Sequence, residues 1–196
     1  MDEMDDLTGL ALDDREGLPE ALRVLLAEYP REGWASHPNF RGTVQFWLER
    51  HMMFRKLAET LRTDAETAID GGMDPRDFAA RLSRFGGMFV SELHGHHQIE
   101  DMHYFPVLQR QDDRVARGFD ILDRDHHAID GHLSGFVEAA NRVLGDADRK
   151  DRFRDGAGAF HGVVGRFGGL LERHLTDEEE LVVPVILRYG PDALPH

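Results

Sequence analysis

Residues 96–106 read His96-His97-Gln98-Ile99-Glu100-Asp101-Met102-His103-Tyr104-Phe105-Pro106, and residues 174–184 read His174-Leu175-Thr176-Asp177-Glu178-Glu179-Glu180-Leu181-Val182-Val183-Pro184. The two stretches are an internal repeat. Each has a His, an acid four residues later, another acid at five and a Pro at ten. Each also follows an earlier His on an apolar stripe, His51 or His126, by 45 or 48 residues. The chain therefore reads as two helical hairpins of one pattern, about 41–110 and 113–190.

Working outward, the apolar residues keep a helical period almost throughout. Residues 41–70 carry the stripe Val44, Trp47, His51, Phe54, Ala58, Leu61 and stop at Gly71-Gly72. Residues 74–109 open on Asp74-Pro75, an N-cap followed by Pro at the first helical position. Their stripe is Leu82, Phe85, Phe89, Leu93, His96, Glu100, His103, Val107. Residues 113–144 carry Val115, Phe119, Leu122, His126, Ile129 with Asp130, Leu133, Val137, Ala140 and Leu144. Residues 148–189 carry Phe153, Phe160, Val164, Phe167, Leu171, His174, Glu178, Leu181 and Val185, and stop at Gly190-Pro191. Pro184 is expected to kink this last helix. The predicted fold is all-α, an up-down-up-down four-helix bundle with a short extra N-terminal helix. That helix, residues 18–29, belongs to an acidic extension spanning residues 1–40, of which 1–17 are expected to fray. It either covers one end of the bundle or forms a dimer contact. Residues 191–196 are a tail.

Composition narrows the function. The chain has 196 residues, 12 His, no Cys and a net charge of −14. Without Cys there is no disulfide framework, thiolate zinc site or cysteine-held iron–sulfur cluster. The acidic balance argues against nucleic acid and anionic membranes as partners. The longest apolar run, residues 181–187, is far short of the ~20 residues that span a bilayer. The N-terminus lacks the basic and apolar regions of a signal peptide, so the expected compartment is the cytoplasm.

A His with an acid four residues on is weak by itself. Twelve His and 37 acids in 196 residues predict about two such pairs by chance, and the chain has four: His96/Glu100, His97/Asp101, His126/Asp130 and His174/Glu178. Three of these lie on apolar stripes, where the i,i+4 spacing puts both side chains on one face. A carboxylate on a buried stripe is costly unless it is paired or bound to metal. A metal site accounts for Glu100, Asp130 and Glu178 together with His51, His96, His126 and His174. Imidazole with carboxylate suits iron, manganese or zinc, and three carboxylates favour a hard, redox-active pair. Seven donors exceed what one ion with an open position can use, so two ions bridged by Glu100 and Glu178 fit better. Asp130 is read either as a ligand or as an acceptor for His126 or His132.

Other residues carry blander readings. His97 and Asp101 sit a step off the stripe and read as helix surface. His103 reads as a core or pocket-lid residue. Glu92 could support His96, His37 could cap the bundle, and His94, His127, His132 and His161 read as flank residues. Residues 177–180 read as a solvated acidic face, Glu178 excepted. Trp47, Phe54 and Phe89 are expected to line and dry the pocket.

These motifs resemble the hemerythrin-like (HHE cation-binding) family over about residues 40–190. The matching residues are His51, His96-x-x-x-Glu100-Asp101 leading to Phe105-Pro106, Asp125-His126-His127-Ala128-Ile129, and His174-x-x-x-Glu178-Glu179 leading to Pro184. The resemblance implies two non-haem iron ions with an oxo or hydroxo bridge. His51, His96, His126 and His174 would be terminal ligands and Glu100 and Glu178 the bridges. The open position would lie on the iron held by His51 and His96, with His126, Asp130 and His174 filling the other. Members that carry oxygen reversibly have a His where Asp130 stands and place the last acid at five residues, not four. Both departures resemble the bacterial and regulatory branches. Asp130, as a hard anion, would favour Fe(III) and autoxidation. The implied function is binding or sensing of O2 or a related diatomic or peroxide, in a monomer or homodimer. The rivals are an enzyme acting on peroxide or nitric oxide, an iron-handling or iron-sensing protein, and a purely structural bundle.

Overall fold

The structure is a computed structural model, and it describes residues 9–190, without the side chains of residues 150 and 151. The expectations for residues 1–8 and 191–196 lie outside the described residues. No strand occurs among the described residues; the fold is all helical. The helices are α1 (Val24–Glu28), α2 (Thr43–Ile69), α3 (Pro75–Ile99), α4 (Phe105–Leu108), α5 (Ala116–Gly145) and α6 (Lys150–Tyr189). A π-helical turn, Glu100–Tyr104, joins α3 to α4 without a break. Short 3-10 turns occupy Glu20–Leu22 and Arg31–Ser36.

The ends follow from local chemistry. α2 stops where Gly71 takes φ +78°, a left-handed conformation that costs a glycine little, and Gly72 N–H donates to Thr67 O at 2.8 Å. Asp74 caps α3, its carboxylate accepting from Arg76 N–H at 2.9 Å. α6 runs through Pro184 and ends at Gly190, whose φ is +93°. The expected amphipathic helix at 18–29 is shorter than its pattern, because Pro19 and Arg23 divide it into a 3-10 turn and the five-residue α1.

The chain divides into two compact units, and the boundary falls inside α2, α3, α5 and α6. One unit comprises residues 52–96 and 129–171. Its interior is a set of phenylalanines in edge-to-face contact, Phe78 with Phe153 and Phe160, and Phe89 with Phe136 and Phe167. The other unit comprises, among the described residues, 9–51, 97–128 and 172–190. Leu18, Leu25, Trp34, Phe105, Phe119 and the run 181–187 form its core. Gly118 on α5 is required there: a Cβ at this position would come within 2.7 Å of Leu181. Residues 9–17 do not fray. Leu12 and Leu18 are buried, and the buried Arg15 guanidinium engages Asp125 and Asp177.

Candidate metal centre

The π turn sets the first acid in place. Phe105 N–H donates to Glu100 O, five residues back. Pro106 has no N–H, and in a regular turn its ring would clash with the carbonyl four residues earlier, so a wider turn relieves the strain. The extra residue also shifts the stripe. After His96, His97 and Glu100, the buried positions are Phe105 and Leu108, while His103 is exposed. Glu100 is fully buried, and Trp47 Nε1–H donates to its Oε1 at 2.5 Å.

Two groups of buried donors result. His51, His96, Glu100 and Glu178 each offer an atom within 4.8 Å of the others, and so do His97, His126 and His174. His51 Nε2 and His174 Nε2 each stand 3.5 Å from Glu178 Oε2, and His126 Nε2 stands 3.8 Å from Glu100 Oε2. The His97 and His126 rings stack with centroids 4.0 Å apart. Trp47 packs on His51 at 4.1 Å.

The opposite edge of three of these imidazoles faces a carboxylate. His51 Nδ1 lies 3.2 Å from Glu179, His126 Nδ1 2.6 Å from Asp101 and His174 Nδ1 3.4 Å from Asp125. A carboxylate at Nδ1 fixes the ring and leaves Nε2 as a lone-pair donor, the arrangement that supports metal-bound histidines. The second acid of each repeat faces the earlier stripe His of the other hairpin: Asp101 faces His126 and Glu179 faces His51.

The electrostatics agree. Burial lowers the His174 pKa to about 4, so its ring is neutral at pH 7. Burial, together with the neighbouring Glu100, pushes the Glu178 carboxyl well above the usual carboxylate range. His126 Nε2, His174 Nε2 and both Glu178 oxygens are buried without a hydrogen-bond partner. Unsatisfied buried polar atoms are costly, and here they converge on one place. A cation would satisfy them together, and neutral imidazoles with carboxylates are a donor set that fits one.

The family model for the hemerythrin HHE cation binding domain matches residues 42–186. The chain belongs to the hemerythrin HHE cation-binding family. Comparison with curated proteins and with solved structures found no match.

In this HHE domain the structure brings together six of the seven expected ligands and leaves one out. Asp130 is exposed, 3.6 Å from His94, and outside both groups. Ile129, fully buried, takes the inward position on α5, and the next residue is turned about 100° away from it. His97, expected on the surface, is buried beside His126. Phe54 contacts His96 with centroids 5.1 Å apart, as a pocket wall would. Phe89 sits among Phe136 and Phe167. Asp177 and Glu179, expected on a solvated face, are buried like Glu178, because Arg15 and Arg31 cover them. Sequence places Asp101 on a helix surface and Glu179 on a solvated face and gives Asp125 no role, whereas the structure sets all three against inward imidazoles. The acid at five in each repeat was the available signal for Asp101 and Glu179; for Asp125 it was only adjacency to His126.

None of the helices among the described residues is long and apolar enough to cross a membrane.

Proposed function

We propose that this chain is a four-helix, up-down-up-down bundle holding two iron ions, and that it binds or senses O2 or a related diatomic or peroxide. The observation that carries the reading is the pair of adjoining donor groups whose inward atoms lack hydrogen-bond partners, at His126 Nε2, His174 Nε2 and both Glu178 oxygens. Two groups fit two ions. His51 and His96 would hold one, His97, His126 and His174 the other, and Glu100 and Glu178 would be shared. His97 stands in the role expected of Asp130. Five imidazoles and two carboxylates suit iron. Exchanging a carboxylate for an imidazole removes the reason to expect a strong bias toward Fe(III) and rapid autoxidation.

When bound, an iron pair supplies an open position and reversible electron exchange for a small oxidant. The chain's own residues do the rest. Trp47 holds Glu100 by its indole N–H. Trp47 and Phe54 wall the His51 and His96 rings and keep water from them. Asp101, Asp125 and Glu179 hold the protons of the ligand imidazoles at Nδ1. The test is anaerobic iron loading of the full chain, followed by titration with O2, hydrogen peroxide and nitric oxide. A stoichiometric adduct with a new visible band supports a binder. Sustained turnover with a reductant contradicts it in favour of an enzyme.

A further inference from the structure

We propose that Arg15 and Arg31, from the segment N-terminal to the matched HHE domain, are positioning residues for the metal centre. Arg15 holds Asp125 behind His174, and Arg31 holds Glu179 behind His51. The inference rests on the reading that the site holds iron.

The geometry is continuous from the segment to the ligands. Arg15 Nη1 donates to Asp125 Oδ1 at 2.8 Å, Nη2 donates to Asp125 Oδ2, and Nε donates to Asp177 Oδ2 at 2.9 Å. The segment is tied down further by Leu18 N–H, which donates to Asp177 Oδ1 at 3.2 Å. Asp125 Oδ2 in turn faces His174 Nδ1 at 3.4 Å. On the other side, Arg31 Nη1 donates to Glu179 Oε2 at 2.7 Å, and Glu179 Oε1 faces His51 Nδ1 at 3.2 Å. Each chain runs guanidinium, carboxylate, imidazole, donor atom.

The chemistry requires such a hold. A carboxylate swings about its side-chain bonds; the Arg15 fork fixes both oxygens of Asp125, and Arg31 fixes Oε2 of Glu179. Buried Asp125 and Asp177 would be expensive without a cation, and Arg15, with a side chain 2 % exposed, lies between them. The family match begins at residue 42, so both arginines are additions to the matched domain. They make residues 15–31 part of the metal centre's support rather than a detached extension.

The test uses the full chain, loaded anaerobically with Fe(II), and follows iron release to a ferrous chelator. The visible spectrum and midpoint potential are recorded alongside, with thermal melts as a folding control. Arg31→Gln is the principal variant, because the Arg31 side chain is 46 % exposed, and the melts read the loss of its stacking on Trp34, whose ring lies 4.6 Å away. Arg15→Gln is the companion. Each should release iron about 10- to 100-fold faster than wild type, the usual effect of removing a group that supports a metal ligand. Each should also shift the visible band and lower the potential, because a positive charge near the site is lost. Arg31→Lys, which keeps one charged donor, should restore release to near the wild-type rate. Wild type that loads iron while Arg31→Gln releases it at the wild-type rate, with spectrum and potential unchanged, overturns this proposal alone. Wild type that takes up no iron overturns the iron reading and this proposal with it.

Discussion

Replacing Glu178 by Gln should change stability in opposite directions with and without iron. Glu178 is fully buried, both of its oxygens lack hydrogen-bond partners, and the Glu100 carboxylate is nearby. A buried carboxylate with no partner costs several kcal/mol, which a neutral amide of the same shape avoids. The Gln amide still needs partners, which returns about 1–3 kcal/mol. The metal-free variant should therefore gain on the order of 1 kcal/mol, or about 2–4 °C in Tm for a chain of this length. With iron the order should invert. Saturating wild type at about 100 times Kd adds about 2.7 kcal/mol, and the variant, lacking a shared carboxylate, forgoes most of it. Differential scanning calorimetry of chelator-treated and iron-loaded samples of both proteins reads all four Tm values. A metal-free Glu178→Gln that melts below metal-free wild type would mean instead that the carboxylate is stabilising without a cation.

Three further outcomes follow from particular contacts. His97→Ala should lower iron content by about half, leaving the His51 side loaded, whereas Asp130→Ala should leave it unchanged; elemental analysis after anaerobic loading distinguishes them, and the reverse order would restore Asp130 as the ligand. Gly118→Ala should destabilise by about 1–2 kcal/mol, since crowding Leu181 at 2.7 Å outweighs the gain in helix propensity; urea denaturation measures it. Asp112 is held at a pKa of about 2 by Arg114, below its ordinary 3.8, so its folded-state carboxylate stabilises above the ordinary value and loses that stabilisation as pH falls through about 2. Asp112→Asn should cost about 1 kcal/mol at pH 7, discounted because the Arg114 side chain is 46 % exposed, and the difference from wild type should shrink between pH 3.8 and about 2.

The helices were legible because apolar spacing, Gly71-Gly72, Asp74-Pro75 and Gly190 mark their course and several of their ends. The convergence of buried donors was legible at Glu100 and Glu178, because buried acids on a stripe demand a partner. Two things were hidden, for different reasons. The π turn at Glu100–Tyr104 breaks the 3.6-residue period on which stripe reading depends; this turned His103 outward. Asp130 lies outside both donor groups because i+4 spacing permits two side chains to share a face without choosing that face, and Ile129 occupies the inward one. The support from Arg15 and Arg31 had no local signature. Those contacts join residues about 150 apart in sequence and arise only when the N-terminal segment lies against α6.

If the buried His and Glu donors hold two iron ions, anaerobic purification, metal analysis and visible spectroscopy on admission of air should find them. About two irons per chain and a new charge-transfer band on oxidation are expected, both lost in His96→Ala. Freshly prepared protein without iron that takes up none on anaerobic addition, with His96→Ala identical to wild type in metal content, would contradict the two-iron reading.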